Sequence, residues 1–296
     1  MILIYFSNYN KNNVNNFKIL KTFEKIFRSN SFFKKINLLL SVVAIFYIVQ
    51  FLIENRIDLY FNKNALVLSP LLWLAYLLFA ISWTLNINDN KFKKEYIFIW
   101  FNSVIGKYLP LKVGIPMFRL TESKKIISKL NTKNNIQTLL IEQFFLMFWG
   151  AYIGIFYFFN IDINNYIKIT TAYFFAIFLI LFLGKIFNSL TTYRNMNLLI
   201  ATGQFLSYIF LLNLFNFEYS YFNFQYIYAY FLVSSLSLIF IGAPAGLGVR
   251  ELLFVQILGG LENPEILAFA IYIRIIYLVN EIFLTFISRL LFSLSK

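Results

Sequence analysis

Cysteine and histidine are both absent from this chain of 296 residues. Their absence excludes disulfides, thiolate nucleophiles, Cys or His metal ligands and imidazole general bases together. Any catalyst here would have to work with carboxylates, Lys, Arg or Tyr, so no metal and no cofactor is expected. No phosphate-cradling Gly-rich loop followed by Lys and Ser/Thr occurs, which argues against direct ATP drive. Acidic residues are also scarce, 13 against 26 Lys plus Arg, for a formal charge of +13. In a soluble protein that excess would suggest nucleic acid. Here the basic residues sit between apolar runs, which points to anionic lipid and to topology signals instead.

Hydrophobic residues make up 60% of the sequence and charged residues only 13%, about half the usual charged share of roughly 25%. The mean hydropathy is +0.69. One soluble core cannot absorb that much apolar surface, whereas a bilayer can. The composition therefore predicts an all-α polytopic membrane helix bundle with no soluble domain large enough for a separate activity. The excess of Phe (38) and Tyr (20) reads as codon bias and carries no functional meaning.

Residues 1–35 form a basic segment, expected to be cytoplasmic, and residues 36–296 a single transmembrane domain. Between Phe17 and Arg28, the residues Phe17, Ile19, Leu20, Phe23, Ile26 and Phe27 share one half of a helical wheel. Lys18, Lys21, Thr22, Lys25 and Arg28 share the other, the pattern of a helix lying on a membrane surface. The first apolar run is followed by Glu54-Asn55-Arg56 rather than a small-residue cleavage site, unlike a cleavable signal peptide.

Runs long enough to span occur at about 36–53, 66–86, 136–159, 167–187, 198–215 and 265–292. The loops 87–95 and 121–135 are both Lys-rich, so both are expected in the cytoplasm. The stretch between them, 96–120, must then enter the membrane and return, as a re-entrant hairpin turning near Pro110. Continuing the count puts 160–166 and 216–225 outside, and 188–197 and the C-terminus inside. This requires 226–262, broken at Gly242-Ala243-Pro244-Ala245-Gly246-Leu247-Gly248, to be re-entrant as well, or else a full span followed by a half-helix.

The two irregular regions share a pattern. Pro110 is followed by Gly114 and Arg119; Pro244 is followed by Gly248 and Arg250-Glu251. Interrupted helices at matching positions of two halves are the sequence mark of an inverted repeat around a binding site. Breaks free backbone N–H and C=O groups that hydrocarbon cannot solvate, so they persist only inside protein or beside a wet cavity. A half-helix starting near Gly248 would point its free amides at that cavity, where anions bind. Alternatively, Gly246 and Gly248 serve close helix packing alone.

Several ionisable groups fall inside apolar runs: Glu142, Arg250, Glu251, Arg274 and Glu281. Each costs at least about 2.5–3.5 kcal/mol at the bilayer centre, so they imply a shared interior. That interior is either a structural network, with Arg274 paired to Glu281 or Glu251, or a polar groove for an anionic headgroup. Arg119 and Lys107 fit the groove or a simple interfacial position. Gln204 and Ser207 read as contacts between helices.

The run Gly242 to Glu251, with Arg274 in the next span, resembles the C-terminal signature of the lysylphosphatidylglycerol synthase transmembrane (flippase-like) family. Ile105-Gly106-Lys107-Tyr108-Leu109-Pro110, with Gly114 and Arg119, resembles an earlier element of that family, and Ile141-Glu142-Gln143 its next helix. The resemblance spans roughly residues 36–292 and implies an eight-segment bundle that handles lipids with charged or sugar-bearing headgroups. Two departures stand out. The local turns differ, with Leu111 in place of the usual Gly after Pro110 and Pro244-Ala245-Gly246-Leu247 in place of the usual Pro-x-Gly-Gly, and the soluble aminoacyl-transferase domain of bifunctional members does not occur in this sequence.

The resulting expectation is a non-enzymatic flippase-like protein of a bacterial cytoplasmic membrane that translocates a phosphate-bearing lipid, aminoacylated or polyprenyl/sugar-linked. Arg250, Arg274, Arg119 and Lys107 would bind phosphate; Gly246 and Gly248 would admit the backbone. Glu142, Glu251 and Glu281 would hold the arginines, with Pro110 and Pro244 shaping the breaks. Expected partners are anionic membrane lipids and a separate lipid-modifying enzyme, with no nucleic acid. The alternatives are a membrane subunit of a polyprenyl-phosphate glycosyl-transfer enzyme, or a secondary transporter of small anions.

Overall fold

The structure, a computed structural model, describes residues 63–87, 94–108, 114–126, 132–159, 193–216, 225–238, 249–259 and 264–294, together with 170, 172–174, 176 and 177. All lie within one unit, Asn55–Lys296. The expected interfacial helix at 17–28, the span at 36–53 and most of that at 167–187 lie outside the described residues.

Among the described residues every regular element is helical, as the apolar composition requires, since a helix satisfies its own backbone in lipid. The elements are α1 (Lys63–Ile87), α2 (Lys94–Val104) continued by a 3-10 turn (Ile105–Tyr108), α3 (Gly114–Ile126) and α4 (Thr132–Gly154), which tightens into a second 3-10 turn (Ile155–Phe159). Then come α5 (Arg194–Asn216), α6 (Gln225–Ser237), α7 (Val249–Leu258) and α8 (Pro264–Leu294). Four stretches are long and apolar enough to cross a membrane: Asn64–Ile87, Asn135–Phe158, Arg194–Leu214 and Ile266–Leu291. They match four of the six expected spans.

The remaining helices are short. At 1.5 Å per residue, the 11 residues of α2 and the 10 of α7 reach only about half of a 30 Å hydrocarbon layer. Each is half of a pair: α2 packs on α3, and α6 packs on α7. These pairs occupy the two irregular regions of the sequence.

Around them, α1 lies along α5 and α4 lies along α6. Close approach is set by small residues. A Cβ on Gly154 of α4 would stand 2.5 Å from the Leu232 Cα and N of α6, so side-chain-free backbone is required there. Helix α8 is fastened to α1 and α2 by a polar row. Trp73 Nε1 donates to Asn280 Oδ1 at 2.7 Å and Arg289 Nε to Asn102 Oδ1 at 2.7 Å, while the Thr285 hydroxyl, 2.8 Å from the Glu281 carbonyl of its own helix, lies 3.1 Å from the Phe101 carbonyl. Phe101 lies four residues before Ile105, where α2 tightens into the 3-10 turn. Such a change of winding leaves a carbonyl short of its helical donor, and the Thr285 hydroxyl, shared with the Glu281 carbonyl, lies within reach of it.

Candidate functional site

The ionisable residues singled out in the sequence assemble into two clusters. The first is closed. Arg119, on the second turn of α3, forms an ion pair with Glu142 of α4 through Nη1, and its Nη2 lies 3.2 Å from the other carboxylate oxygen. Its Nε donates to Ser103 Oγ at 2.9 Å, and Trp100 Nε1 donates to Glu142 at 2.9 Å. The guanidinium lies against two indoles, 5.0 Å from the Trp83 ring centre and 5.3 Å from that of Trp100. Arg119 and Glu142 are 1% and 0% exposed. A pair so buried, with an acceptor at each guanidinium nitrogen, ties α2, α3 and α4 together and offers no accessible edge to a ligand.

The second cluster forms where the two short-helix pairs meet α8. Lys107, in the 3-10 turn after α2, pairs with Glu281 of α8, and the same carboxylate accepts the Tyr76 hydroxyl of α1. Glu251 of α7 pairs with Arg274 of α8. Seven residues separate Arg274 from Glu281, two turns on one face, so one helix delivers a cation and an anion to different partners. Arg250, at the start of α7, turns instead toward α6. Its Nη2 and Nε lie 3.2 and 3.4 Å from Ser237 Oγ, and its guanidinium sits 6.0 Å from the Tyr230 ring centre. Among the described residues no carboxylate pairs with Arg250. The charges of Arg250 and Arg274 both act on Lys107 and on Tyr230, as that of Glu281 does, so these groups share one neighbourhood.

Lys107 and Arg274 each have a carboxylate, and Arg250 has a hydroxyl and an aromatic face. One guanidinium, part-buried, therefore holds a charge that no described acidic side chain neutralises. Its planar donor fork matches the geometry of a phosphate or carboxylate.

Of the residues expected to form one site, Lys107, Arg250, Arg274, Glu251 and Glu281 are brought together, while Arg119 and Glu142 stand in the separate closed cluster. Pro110, Pro244, Gly246 and Gly248 lie outside the described residues. Gln204 does reach across helices, donating to the Leu146 carbonyl at 3.4 Å. Sequence reasoning passed over Tyr76, Tyr230 and Ser237; among 20 tyrosines nothing marks two. It also passed over tryptophan, where a signal existed. The chain has only four, and each meets a polar group: Trp73 Asn280, Trp83 and Trp100 Arg119, and Trp149 Asn197 at 2.7 Å. No protein family, curated protein or solved structure matches this chain.

Proposed function

We propose that this protein binds the anionic headgroup of a membrane lipid in the cluster around Arg250 and carries it across the bilayer, as a flippase-like protein of a bacterial cytoplasmic membrane. In this reading, α2–α3 and α6–α7 are re-entrant elements related as an inverted repeat, and both termini are cytoplasmic. The observation that carries the proposal is the state of Arg250: part-buried, oriented by Ser237 and Tyr230, and opposed by no carboxylate among the described residues. An uncompensated buried cation is costly unless a mobile anion completes it. Two further features support a lipid ligand: the surrounding elements are those of a membrane bundle, and the broken helices meet at the cluster. Lys107 and Arg274 lie in the same neighbourhood as Arg250, each neutralised by its carboxylate.

Reconstitution into liposomes with labelled anionic lipid tests this directly. Wild-type protein should accelerate transbilayer movement, and Arg250→Ala should abolish most of it while leaving detergent-extracted protein monodisperse. Arg274→Ala should slow movement and also loosen α7 by removing the ion pair that ties Glu251 to α8. Movement unchanged in both variants would sink the proposal.

A further inference from the structure

We infer that the Arg250 site selects its ligand by charge, accepting a singly charged phosphodiester headgroup and rejecting a doubly charged phosphomonoester or a pyrophosphate. The inference rests on the reading of this cluster as an anion site and adds the class of anion. Three cations gather there, Lys107, Arg250 and Arg274, with two carboxylates, Glu251 and Glu281. Two of these cations are paired, so among the described residues a single formal charge is left for the ligand.

The pairs themselves resist being opened. Glu281 holds Lys107 and the Tyr76 hydroxyl on one carboxylate oxygen, and the carboxylate is buried. Drawing Lys107 away to serve a ligand would strand a buried anion, a larger loss than the new contact returns. Glu251, 7% exposed, is bound in the same way to Arg274. A phosphodiester brings one negative charge, which Arg250 neutralises. A phosphomonoester brings about −1.5 to −2 at neutral pH. Its second charge would face Glu251 and Glu281 with no cation left over.

The test uses full-length protein in detergent and reads binding as thermal stabilisation against concentration of short-chain lipid. Phosphatidylglycerol supplies one charge and phosphatidic acid nearly two; phosphatidylcholine is the net-neutral control. Glycerophosphoglycerol supplies the same phosphodiester without acyl chains. Phosphatidylglycerol should bind at least about tenfold more tightly than phosphatidic acid, since each tenfold step is a small part of the penalty for an unpaired charge. Glu251→Gln removes the carboxylate charge that offsets Arg274, so the preference of this variant should swing toward phosphatidic acid. If that variant fails to fold, Glu281→Gln makes the same change through Lys107.

Equal or tighter binding of phosphatidic acid by the wild type would overturn charge selection and leave the anion site standing. Glycerophosphoglycerol binding as tightly as phosphatidylglycerol would overturn the lipid assignment alone. Binding of no anion, or binding that Arg250→Gln leaves intact, would overturn the site and the inference together.

Discussion

Arg119 and Arg250 carry the same charge and serve opposite ends. Around Arg119 each guanidinium nitrogen has a protein acceptor and two indoles lie against the group, so it acts as a bolt. Removing its counter-charge should be severe: Glu142→Ala is expected to cost about 3–5 kcal/mol, the usual loss when half of a buried pair is deleted. Replacing both partners at once, Arg119→Met with Glu142→Leu, should cost much less, because no isolated charge remains. Thermal unfolding in detergent reads both, and a double variant less stable than Glu142→Ala would contradict the assignment. Arg250, held by one hydroxyl and one ring, is expected to behave differently. Arg250→Gln should leave the melting temperature within a few degrees while removing anion-induced stabilisation.

Between elements, the decisive contacts are made by the smallest residues. Gly154→Ala would drive a methyl group into the α6 backbone at Leu232, which cannot move without the helix. The expected loss is about 1–3 kcal/mol, typical of overpacking. Gly203→Ala on α5 would meet only the ring of Phe79, at 2.4 Å, a side chain able to rotate. It should be the milder of the two by the same unfolding assay. Thr285→Val should cost about 1 kcal/mol by removing a hydroxyl shared between the Glu281 and Phe101 carbonyls. How much of this was legible follows from what periodicity encodes. Apolar length announced α1, α4, α5 and α8, and the Pro/Gly interruptions announced the short pairs α2–α3 and α6–α7. The partners were not announced. Whether Arg274 meets Glu251 or Glu281 depends on the rotation of α8 against its neighbours. Arg119 looked like an equal of Arg250 because pairing with Glu142, 23 residues away, leaves no mark in a linear sequence.

At the scale of the whole chain, the absence of cysteine makes the topology directly testable, since any introduced thiol is unique. If α2–α3 is re-entrant, Lys91→Cys and Lys129→Cys should react with a membrane-impermeant thiol reagent from the same side, and Asn164→Cys from the other. Labelling of the first two from opposite sides would convert that hairpin into a span and reverse the orientation of everything after it. The closed cluster bears on biogenesis as well. Arg119 and Glu142 belong to successive helices, and either one released alone into lipid would carry a penalty of about 2.5–3.5 kcal/mol or more. Pairing the two before either meets lipid removes that penalty. The stretch from α2 to α4 is therefore expected to enter lipid as one unit, with Glu142 synthesised before Arg119 can settle.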